Sequence, residues 1–327
     1  MMTASDTQYV YGPVPSRRLG MSLGINNIPA KRCTYSCVYC QVGRMTKMQN
    51  ARQAFYKPEK LLQGVHNRLE NTRVASGCVD YLTFVPDGEP TLDKNLGEEI
   101  HLLENLDIPI GVITNSSLLW REDVRNELAK ADWVSVKIDT VDELIWRKIN
   151  RPHKALCLSR ILDGILTFSR KFTGKLVTET MLVRGVNDNP GCVQGVAEFL
   201  HKLQPSLSYI SVPTRPPAEK GVGIPNDQTI NWTYQLFADR LKQVEILIDY
   251  EGDDFAFTSE VEKDLLGITA VHPMRSSAVR MLVSRAGASW AVVDRLLATG
   301  KLTKTTYDGH TFYLRKFPKK VRESHDR

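Results

Sequence analysis

A chain of 327 residues with 42% hydrophobic and 24% charged side chains has the composition of a globular protein, with one large domain or two ordinary ones. No stretch approaches the roughly 18 consecutive apolar residues of a membrane-spanning helix, and the N-terminus lacks the basic-then-apolar pattern of a secretory signal, so we expect a cytoplasmic protein with no membrane partner. The net charge of +6 is uneven, because residues 271–327 hold 12 Lys and Arg against 4 Asp and Glu.

Residues 20–29 are predicted to form the first strand of an alternating strand–helix pattern. Five later apolar, β-branched runs have the character of parallel strands buried on both faces. These runs are residues 79–86, 108–115, 132–139, 175–183 and 207–213. Amphipathic helix patterns lie between them, the clearest at 190–203, with Pro190 at the first helical position. Six such units predict an α/β fold with a parallel sheet that is smaller than a closed (β/α)8 barrel, to which residues 244–258 could add an edge strand or a linker.

Three of the six cysteines stand close together, as Cys33, Cys37 and Cys40 in the segment AKRCTYSCVYCQVGR. Clustered cysteines in a cytosolic chain indicate a metal site and not disulfides. Zinc normally needs a fourth Cys or His at short range, and the nearest histidine is the distant His66. A [4Fe–4S] cluster has four irons, and electron carriers usually bind all four through cysteine. Three local thiolates would leave one iron without a cysteine ligand, so we predict a cluster with one open iron. The other cysteines stand among apolar neighbours and are predicted to be ordinary buried thiols; they are Cys78, Cys157 and Cys192.

The C-x3-C-x2-C spacing, with Tyr39 directly before the last cysteine, resembles the signature of the radical S-adenosylmethionine (SAM) superfamily. Residues 87–90 (DGEP) follow a predicted strand and resemble the segment that holds the SAM amino group in that superfamily. The resemblance implies a partial (β/α)6 barrel with a [4Fe–4S] cluster on the three clustered cysteines and SAM on the open iron. It also implies an enzyme that cleaves SAM reductively and uses the 5′-deoxyadenosyl radical on a substrate. The electron donor would be of the flavodoxin or ferredoxin type.

The DGEP segment also has a physical interpretation. Gly88 would let the backbone approach a ligand, and Glu89 offers acceptors to an ammonium group. Other polar residues follow the predicted strands at their C-terminal ends, where barrel enzymes place their chemistry. The predicted cofactor-binding set is Tyr39, Asp87, Gly88, Glu89, Asn115, Lys137, Asp139, Glu179 and Asn187.

The members of this set from the later strands have roles implied by the resemblance. Asp139 would accept hydrogen bonds from the ribose hydroxyls, and the loop 183–187 would cradle the adenine. Lys137 could pair with the SAM carboxylate or with a neighbouring acid. Glu179 lies within a predicted strand, where an acid needs a reason to be buried. That reason could be a cofactor or substrate contact, or an ion pair with a helix.

The similarity extends beyond the cluster, over about residues 9–270. Five further motifs run in an order that resembles the radical SAM group related to the tRNA wyosine-base (4-demethylwyosine) synthases. They are residues 11–20, 89–93, 114–117, 151–153 and 178–183. The genuine synthases carry a second cluster on cysteines N-terminal to the radical SAM motif, and this chain has no cysteine before Cys33. We therefore expect a related but distinct reaction.

The C-terminal part has a different pattern. Residues 275–287 and 289–300 are predicted to form short helices, and 301–316 a hairpin that turns at Asp308-Gly309, which together match a winged helix-turn-helix. Its basic surplus is typical of a nucleic-acid partner, or equally of a solvated basic surface. The predicted organisation is an N-terminal extension, the partial barrel, a winged-helix-like domain and a basic tail, at residues 1–19, 20–258, 259–317 and 318–327.

The substrate is not fixed by these motifs. Arg17, Arg18 and Arg215 are the candidates for the reaction site, because a forked guanidinium can grip a phosphate or carboxylate. The leading hypothesis is a radical SAM enzyme that modifies RNA, with tRNA bound through the C-terminal domain. The first alternative keeps the chemistry but takes a peptide or small metabolite as substrate. The second is an iron–sulfur regulator that binds DNA.

Overall fold

The computed structural model describes residues 9–45, 47–72, 79–248 and 250–316. Its strands are β1 Val10–Ser16, β2 Gly20–Ile25, β3 Arg32–Cys33, β4 Lys47–Met48, β5 Tyr81–Phe84, β6 Ile110–Thr114, β7 Trp133–Lys137, β8 Lys175–Met181, β9 Leu207–Ser211, β10 Val244–Leu247, β11 Met274–Arg275, β12 Leu302–Tyr307 and β13 His310–Arg315. Its α-helices are α1 Pro58–Asn71, α2 Leu96–Leu103, α3 Glu122–Leu128, α4 Glu143–Ile149, α5 Leu158–Ser169, α6 Pro190–Leu203, α7 Asp227–Ala238, α8 Val261–Val271, α9 Ser276–Arg285 and α10 Ala291–Ala298. Cys78 and the predicted basic tail lie outside the described residues.

One mostly parallel sheet organises the protein, in the order β1-β2-β5-β6-β7-β8-β9-β10. Strands β2 and β5 to β10 pair in parallel, and each of the six predicted strands contains one of them. The prediction of an α/β fold with a partial barrel is confirmed. β10 lies within residues 244–258 and forms one edge of the sheet. β1 forms the other edge, antiparallel to β2, so part of the predicted N-terminal extension belongs to the sheet.

Side chains alternate between the two faces of each strand, and this separates a core from a cavity. On the outer face Phe84 and Val134 are fully buried beneath the helices. Helix α6 shows why the helices pack there, because it buries Val193, Leu200 and the residues spaced between them along one stripe. Its first turn is fixed as expected: Pro190 is the first helical residue, and the preceding Asn189 side chain caps the helix.

The inner face of the sheet is layered. Towards the N-terminal ends of the strands a cluster of apolar side chains fills the interior, with Trp133, Val177 and Leu207 among them. Nearer the C-terminal ends the inward positions turn polar, as with Glu179, two residues beyond Val177 on β8. The interior is therefore filled with apolar side chains at one end and lined with polar side chains at the other, the C-terminal end, where α/β barrels have their active sites.

Residues 255–316, here named the C-terminal module, pack on the edge of the sheet. Helices α8, α9 and α10 and the three-stranded sheet β11-β13-β12 share one apolar cluster with Tyr11 and Val14 of β1. The predicted helices and hairpin lie at the expected places, with the turn at residues 308–309. Sequence reasoning missed α8. The winged-helix assignment and its boundary at residue 259 stay predictions.

Every helix in the described part of the chain falls short of the length and apolar character that a bilayer span requires.

Candidate active site

A cavity of about 260 Å³ lies between the inner face of the sheet, the cysteine loop (residues 30–45) and the C-terminal module. All three clustered cysteines line it, and so do the three candidate arginines. Of the nine predicted cofactor-binding residues, six line this cavity: Tyr39, Gly88, Glu89, Asn115, Lys137 and Glu179. Three lie off its wall: Asp87, Asp139 and Asn187. The C-terminal ends of separate strands thus meet at one place, which the sequence pattern had indicated.

The three thiols form one end of the cavity, here named the cysteine end. Two asparagine amides donate to them: Asn115 Nδ2 lies 3.4 Å from Cys33 Sγ, and Asn150 Nδ2 lies 3.4 Å from Cys37 Sγ. Burial raises the pKa of Cys37 to about 11 and that of Cys40 to about 12. The free thiols therefore stay protonated, and a metal that binds them must displace those protons.

The arrangement of the thiols fits an iron–sulfur cluster better than a single ion. Within the described residues, no three Cys, His, Asp or Glu side chains converge closely enough to hold one metal ion. A zinc ion needs four ligands around one point, whereas in a multi-iron cluster each thiolate binds a different iron. Three thiols that share a cavity without converging on a single point match the second case. The described residues on the cavity wall include no other Cys or His.

The DGEP segment holds the cysteine loop in place through backbone contacts. Arg32 forms a parallel bridge with Gly88, and the carbonyl oxygen of Arg32 accepts from Glu89 N at 3.1 Å. A Cβ at Gly88 would overlap that carbonyl oxygen. The sequence suggested that Gly88 makes room for a ligand. The structure shows that it makes room for the backbone of the cysteine loop.

Glu89 is buried at the cysteine end, and donors from the protein already satisfy most of the hydrogen-bond acceptor sites of its carboxylate. Oε1 accepts from the Thr91 backbone and from the hydroxyls of Thr91 and Thr114, while Oε2 accepts from Asn115 N at 2.7 Å. Burial raises the pKa of Glu89, and these hydrogen bonds oppose the rise. Oε2 has one protein partner, so it keeps capacity for a further donor from the cavity.

Asp139 lies behind the cysteine loop. Its Oδ1 accepts from Met181 N at 3.0 Å, and its Oδ2 accepts from the Tyr39 hydroxyl and from Asn150 Nδ2. Asn187, also buried, donates to the carbonyl oxygens of Asp139 and Met181. Asp139 and Asn187 therefore connect the strand ends to the cysteine loop. Their predicted role as SAM contacts stays a prediction.

Asp87 is the third residue off the wall. It is 2% exposed, and neither carboxylate oxygen has a hydrogen-bond partner among the described residues. Burial raises its pKa to about 7, although the charges of Lys31 and Arg315 oppose the rise. It therefore faces the junction between the cysteine loop and the C-terminal module and not the cavity.

The other end of the cavity, here named the arginine end, is charged. Glu179 pairs with Arg18, with Lys137 at 2.9 Å and with the Ser211 hydroxyl. Burial opposes its ionisation, but the charges of Arg18 and Lys137 hold the pKa of Glu179 well below its usual range. The acid inside β8 is thus explained by an ion pair within the barrel, and not by one with a helix.

Arg215 connects the arginine end to the C-terminal module. It donates to Gln41 at 2.7 Å and to Glu251 at 2.6 Å, and Glu251 also lies 2.7 Å from His272. Gln41, next to the last cysteine, donates to the carbonyl oxygen of Val271. The module thereby contacts both the cysteine loop and the cavity wall.

Sequence reasoning did not single out Asn150, Glu251 or His272, which contact the site from behind its wall. Asn150 directly precedes the 151–153 motif, which was the available signal, but nothing local shows that its amide reaches Cys37. The prediction that Cys157 and Cys192 are buried is wrong. Cys157 is exposed and Cys192 is half-buried, because they stand at the N-terminal cap and in the first turn of α5 and α6, where the helix packs less closely.

The basic surplus of the C-terminal module is partly neutralised. Arg285 pairs with Asp254, while Arg295 and Lys301 both pair with Glu262. Two exposed lysines on and beside the hairpin, Lys304 and Lys316, appear in no ion pair with described residues. The composition gives only the number of charged residues, whereas the structure distinguishes the residues in ion pairs from those that face solvent.

Comparison with known proteins agrees with this site. The family model of the radical SAM superfamily matches residues 27–191. The chain is 46% identical to a UPF0026 protein of Methanocaldococcus jannaschii, over 93% of this chain and 95% of that one. Its fold resembles that of a radical SAM methyltransferase from Sphaerobacter thermophilus (TM-score 0.51, 15% identity, 69% of this chain and 66% of that chain). It also resembles TYW1 with a lysine-pyruvate adduct bound (TM-score 0.51, 17% identity, 74% of this chain and 81% of that chain).

Proposed function

The chain belongs to the radical SAM superfamily, and from that premise we propose that it is an enzyme that modifies RNA, with tRNA as the first candidate substrate. Proteins of this superfamily bind a [4Fe–4S] cluster and SAM, which are the cofactors of this one. When bound, they supply one-electron cleavage of the sulfonium C–S bond and a radical that takes hydrogen from the substrate. An iron–sulfur regulator without catalysis is set aside, since the superfamily is one of enzymes.

The observation that carries the chemistry is the placement of the three thiols on one cavity wall, with no other Cys or His among its described residues. Cys33, Cys37 and Cys40 would hold the cluster. Glu89 Oε2 has room for a donor such as an ammonium group, and Asn115 holds both Glu89 and the cysteine loop in place. These roles make the cysteine end the SAM site.

RNA as substrate rests on three supports. The motifs of residues 9–270 resemble those of the tRNA wyosine-base synthases, and the fold is similar to TYW1. The C-terminal hairpin lies at the cavity rim, because Tyr307 donates to the carbonyl oxygen of Pro213 at 2.7 Å and Pro213 lines the cavity. Lys304, on the same strand as Tyr307, is exposed. Positive charge beside the opening suits a phosphate backbone that enters there.

A binding experiment on the full chain tests this proposal. Removal of residues 271–327 would cut α8 at its last residue and strip the module of buried side chains such as Met274, so substitutions are the sharper tool. We expect Lys304→Glu with Lys316→Glu to weaken tRNA binding and to lower the slope of log K against log salt by about one for each lysine lost. Lys171→Glu, at an exposed site beyond α5, is the matched control.

The activity assay completes the test. With SAM, a reductant and unmodified tRNA, 5′-deoxyadenosine should form faster than without tRNA. Equal rates with and without tRNA, together with equal tRNA binding by the double variant and the wild type, would contradict RNA as the substrate. A peptide or small metabolite would then become the better candidate, favoured by the contact of Gln41 with Val271, through which the module covers the cavity. The proposed electron donor is a flavodoxin or ferredoxin, in the cytoplasm.

A further inference from the structure

We propose that a small acidic electron-carrier protein docks on a surface of the cysteine loop that lies outside the cavity. This surface, here named the outer face, consists of residues 142–154, residues 218–222 and Arg44. None of these residues lines the cavity. The inference deepens the proposed function and rests on it in taking the three thiols as ligands of a cluster that an external donor reduces.

The first argument is the short path from the outer face to Cys37. Both backbone groups of Val38, the next residue, bond to this face: Val38 N donates to the carbonyl oxygen of Ile149 at 2.9 Å, and Val38 O accepts from Glu219 N at 3.0 Å. Asn150, whose amide lies 3.4 Å from Cys37 Sγ, belongs to the same face. Two routes of a few bonds therefore lead from the outer face to a predicted cluster ligand, and electron transfer needs such a short path.

The path begins at side chains that solvent reaches. Arg151 directly follows Asn150, and its side chain is 44% exposed. Arg44, at the end of the cysteine loop, is 70% exposed. Both guanidinium groups donate to the Glu219 carboxylate at 2.6 Å. This ion-pair group joins the loop to the two other segments of the outer face, so a protein that touches it comes close to Cys37.

The second argument is the charge of the outer face. Its segments contain six Lys and Arg against three Asp and Glu. Two of the acids are in ion pairs within the face, Glu219 with Arg44 and Arg151, and Glu143 with Arg147. Three cationic side chains are exposed and form no ion pair with a described residue: Lys148, Lys154 and Lys220. A positive surface of this kind attracts an acidic protein and orients it during the encounter.

The third argument favours a protein over RNA. Leu144 is 77% exposed and stands one turn before Lys148 on α4. A single exposed leucine is ordinary by itself, but beside unpaired lysines it matches a protein contact, where apolar side chains lie within a polar rim. A phosphate backbone gains nothing from it. The outer face also lies off the cavity wall, so a carrier could dock there while the cavity holds its substrate.

The proposed partner needs only a small contact area. Encounters between electron carriers and their acceptors are small and transient, so a few charged side chains around one apolar contact are enough. In each encounter the reduced carrier gives one electron to the cluster. The carrier is thereby oxidised by one electron and the cluster is reduced by one, and no bond forms and no proton moves.

The test uses the anaerobically reconstituted full chain, with an acidic flavodoxin as the probe and binding measured by calorimetry at low and at high salt. We expect Lys148→Glu with Lys220→Glu to weaken flavodoxin binding by about 10-fold at low salt and by less at high salt, because salt screens the attraction. Lys171→Glu with Lys242→Glu is the matched control and should bind like the wild type. Both control lysines are exposed in the segments before β8 and β10, at the other end of the sheet.

A second measurement separates docking from the condition of the cluster. Reduced flavodoxin should reduce the cluster more slowly in the Lys148/Lys220 variant than in the wild type. Excess dithionite, which needs no docking surface, should reduce both proteins to the same extent. The proposal would be overturned by unchanged flavodoxin binding in the Lys148/Lys220 variant, or by an equal loss in the control variant. It would also be overturned if the Lys148/Lys220 variant lost tRNA binding and kept flavodoxin binding, since the outer face would then belong to RNA.

The two proposals can fail separately. Weaker flavodoxin binding in the Lys148/Lys220 variant, in a protein whose turnover ignores tRNA, would keep the docking surface and reject RNA. A protein that needs tRNA for turnover, but whose Lys148/Lys220 variant binds flavodoxin normally, would keep RNA and reject this surface.

Discussion

At the cysteine end of the cavity the three thiols are surrounded mainly by neutral donors, while the arginine end is lined by charged side chains in ion pairs. Asn115 and Asn150 donate to cysteine sulfurs from fixed positions, each with further hydrogen bonds that hold it in place. At the other end Arg18 and Lys137 share the single carboxylate of Glu179. The cysteine end thus depends on hydrogen bonds to the thiols, whereas the arginine end depends on charge pairing.

The largest effect should come from the cysteine end. Replacement of Cys33, Cys37 or Cys40 by Ala removes one of three ligands, so SAM cleavage should be abolished and iron content should fall sharply. Iron analysis and 5′-deoxyadenosine formation measure this. Cys157→Ala is the matched control, because Cys157 is exposed at the N-terminal cap of α5, away from the cavity, and it should behave like the wild type. Turnover retained in the triple cysteine variant would end the assignment.

The arginine end can be broken through Glu179. Glu179→Gln leaves Arg18 and Lys137, both half-buried at the cavity wall, without their shared counter-ion, so the free energy of unfolding should fall by about 3 kcal/mol. Glu143→Gln, in an exposed pair with Arg147, should cost less than about 1 kcal/mol. Denaturant unfolding compares the two variants, and equal losses would show that the arginine end is not a special environment.

The pH dependence of that loss follows from the sign of the pKa shift. The folded pKa of Glu179 lies below the usual 4.5, so its stabilisation is fully present above that pH and is lost as the pH falls further. The difference between wild type and Glu179→Gln should therefore be constant at neutral pH and shrink in acid.

A smaller effect is expected from the hydrogen bond between Asn150 and Cys37 at the cysteine end. Asn150→Ala removes the donor to Cys37 Sγ, and hydrogen bonds to cluster sulfurs stabilise the reduced, more negative state. The midpoint potential of the cluster should become lower, with iron content retained. Asp139→Asn provides the contrast: it leaves that donor in place but removes a negative charge near Cys37, so the potential should rise and not fall. An equal shift of the midpoint potential in both variants would show that Asn150 acts through packing and not through its hydrogen bond to Cys37.

Some parts of this site could be found without the fold. The period of apolar runs predicted the parallel strands, since a strand buried on both faces must be apolar throughout. The spacing of the cysteines indicated the cluster loop, because three ligands to one group can come from one short segment. Arg17, Arg18 and Arg215 were also expected near a reaction site, and all three line the cavity.

Other features could not be read from the sequence, because they depend on which distant segments touch. Gly88 has no side chain because the carbonyl oxygen of Arg32 occupies that space, and no local pattern shows this approach. The contacts of Asp139 with Tyr39, Met181 and Asn150 were not foreseen, and its predicted role at the ribose stays a prediction. The charge surplus of the C-terminal module was read from composition, while Asp254 and Glu262 neutralise part of it across the fold.

Local patterns in this chain were enough to indicate its parallel strands, several of its helices and its cluster loop, because backbone periodicity and ligand spacing act over a few residues. The pairing of Arg18 with Glu179, of Arg215 with Glu251 and of Asn150 with Cys37 joins residues far apart along the chain. Coulomb energies and hydrogen bonds depend on separation in space and on burial, so only the folded arrangement decides which charges and which hydrogen-bonding groups are paired.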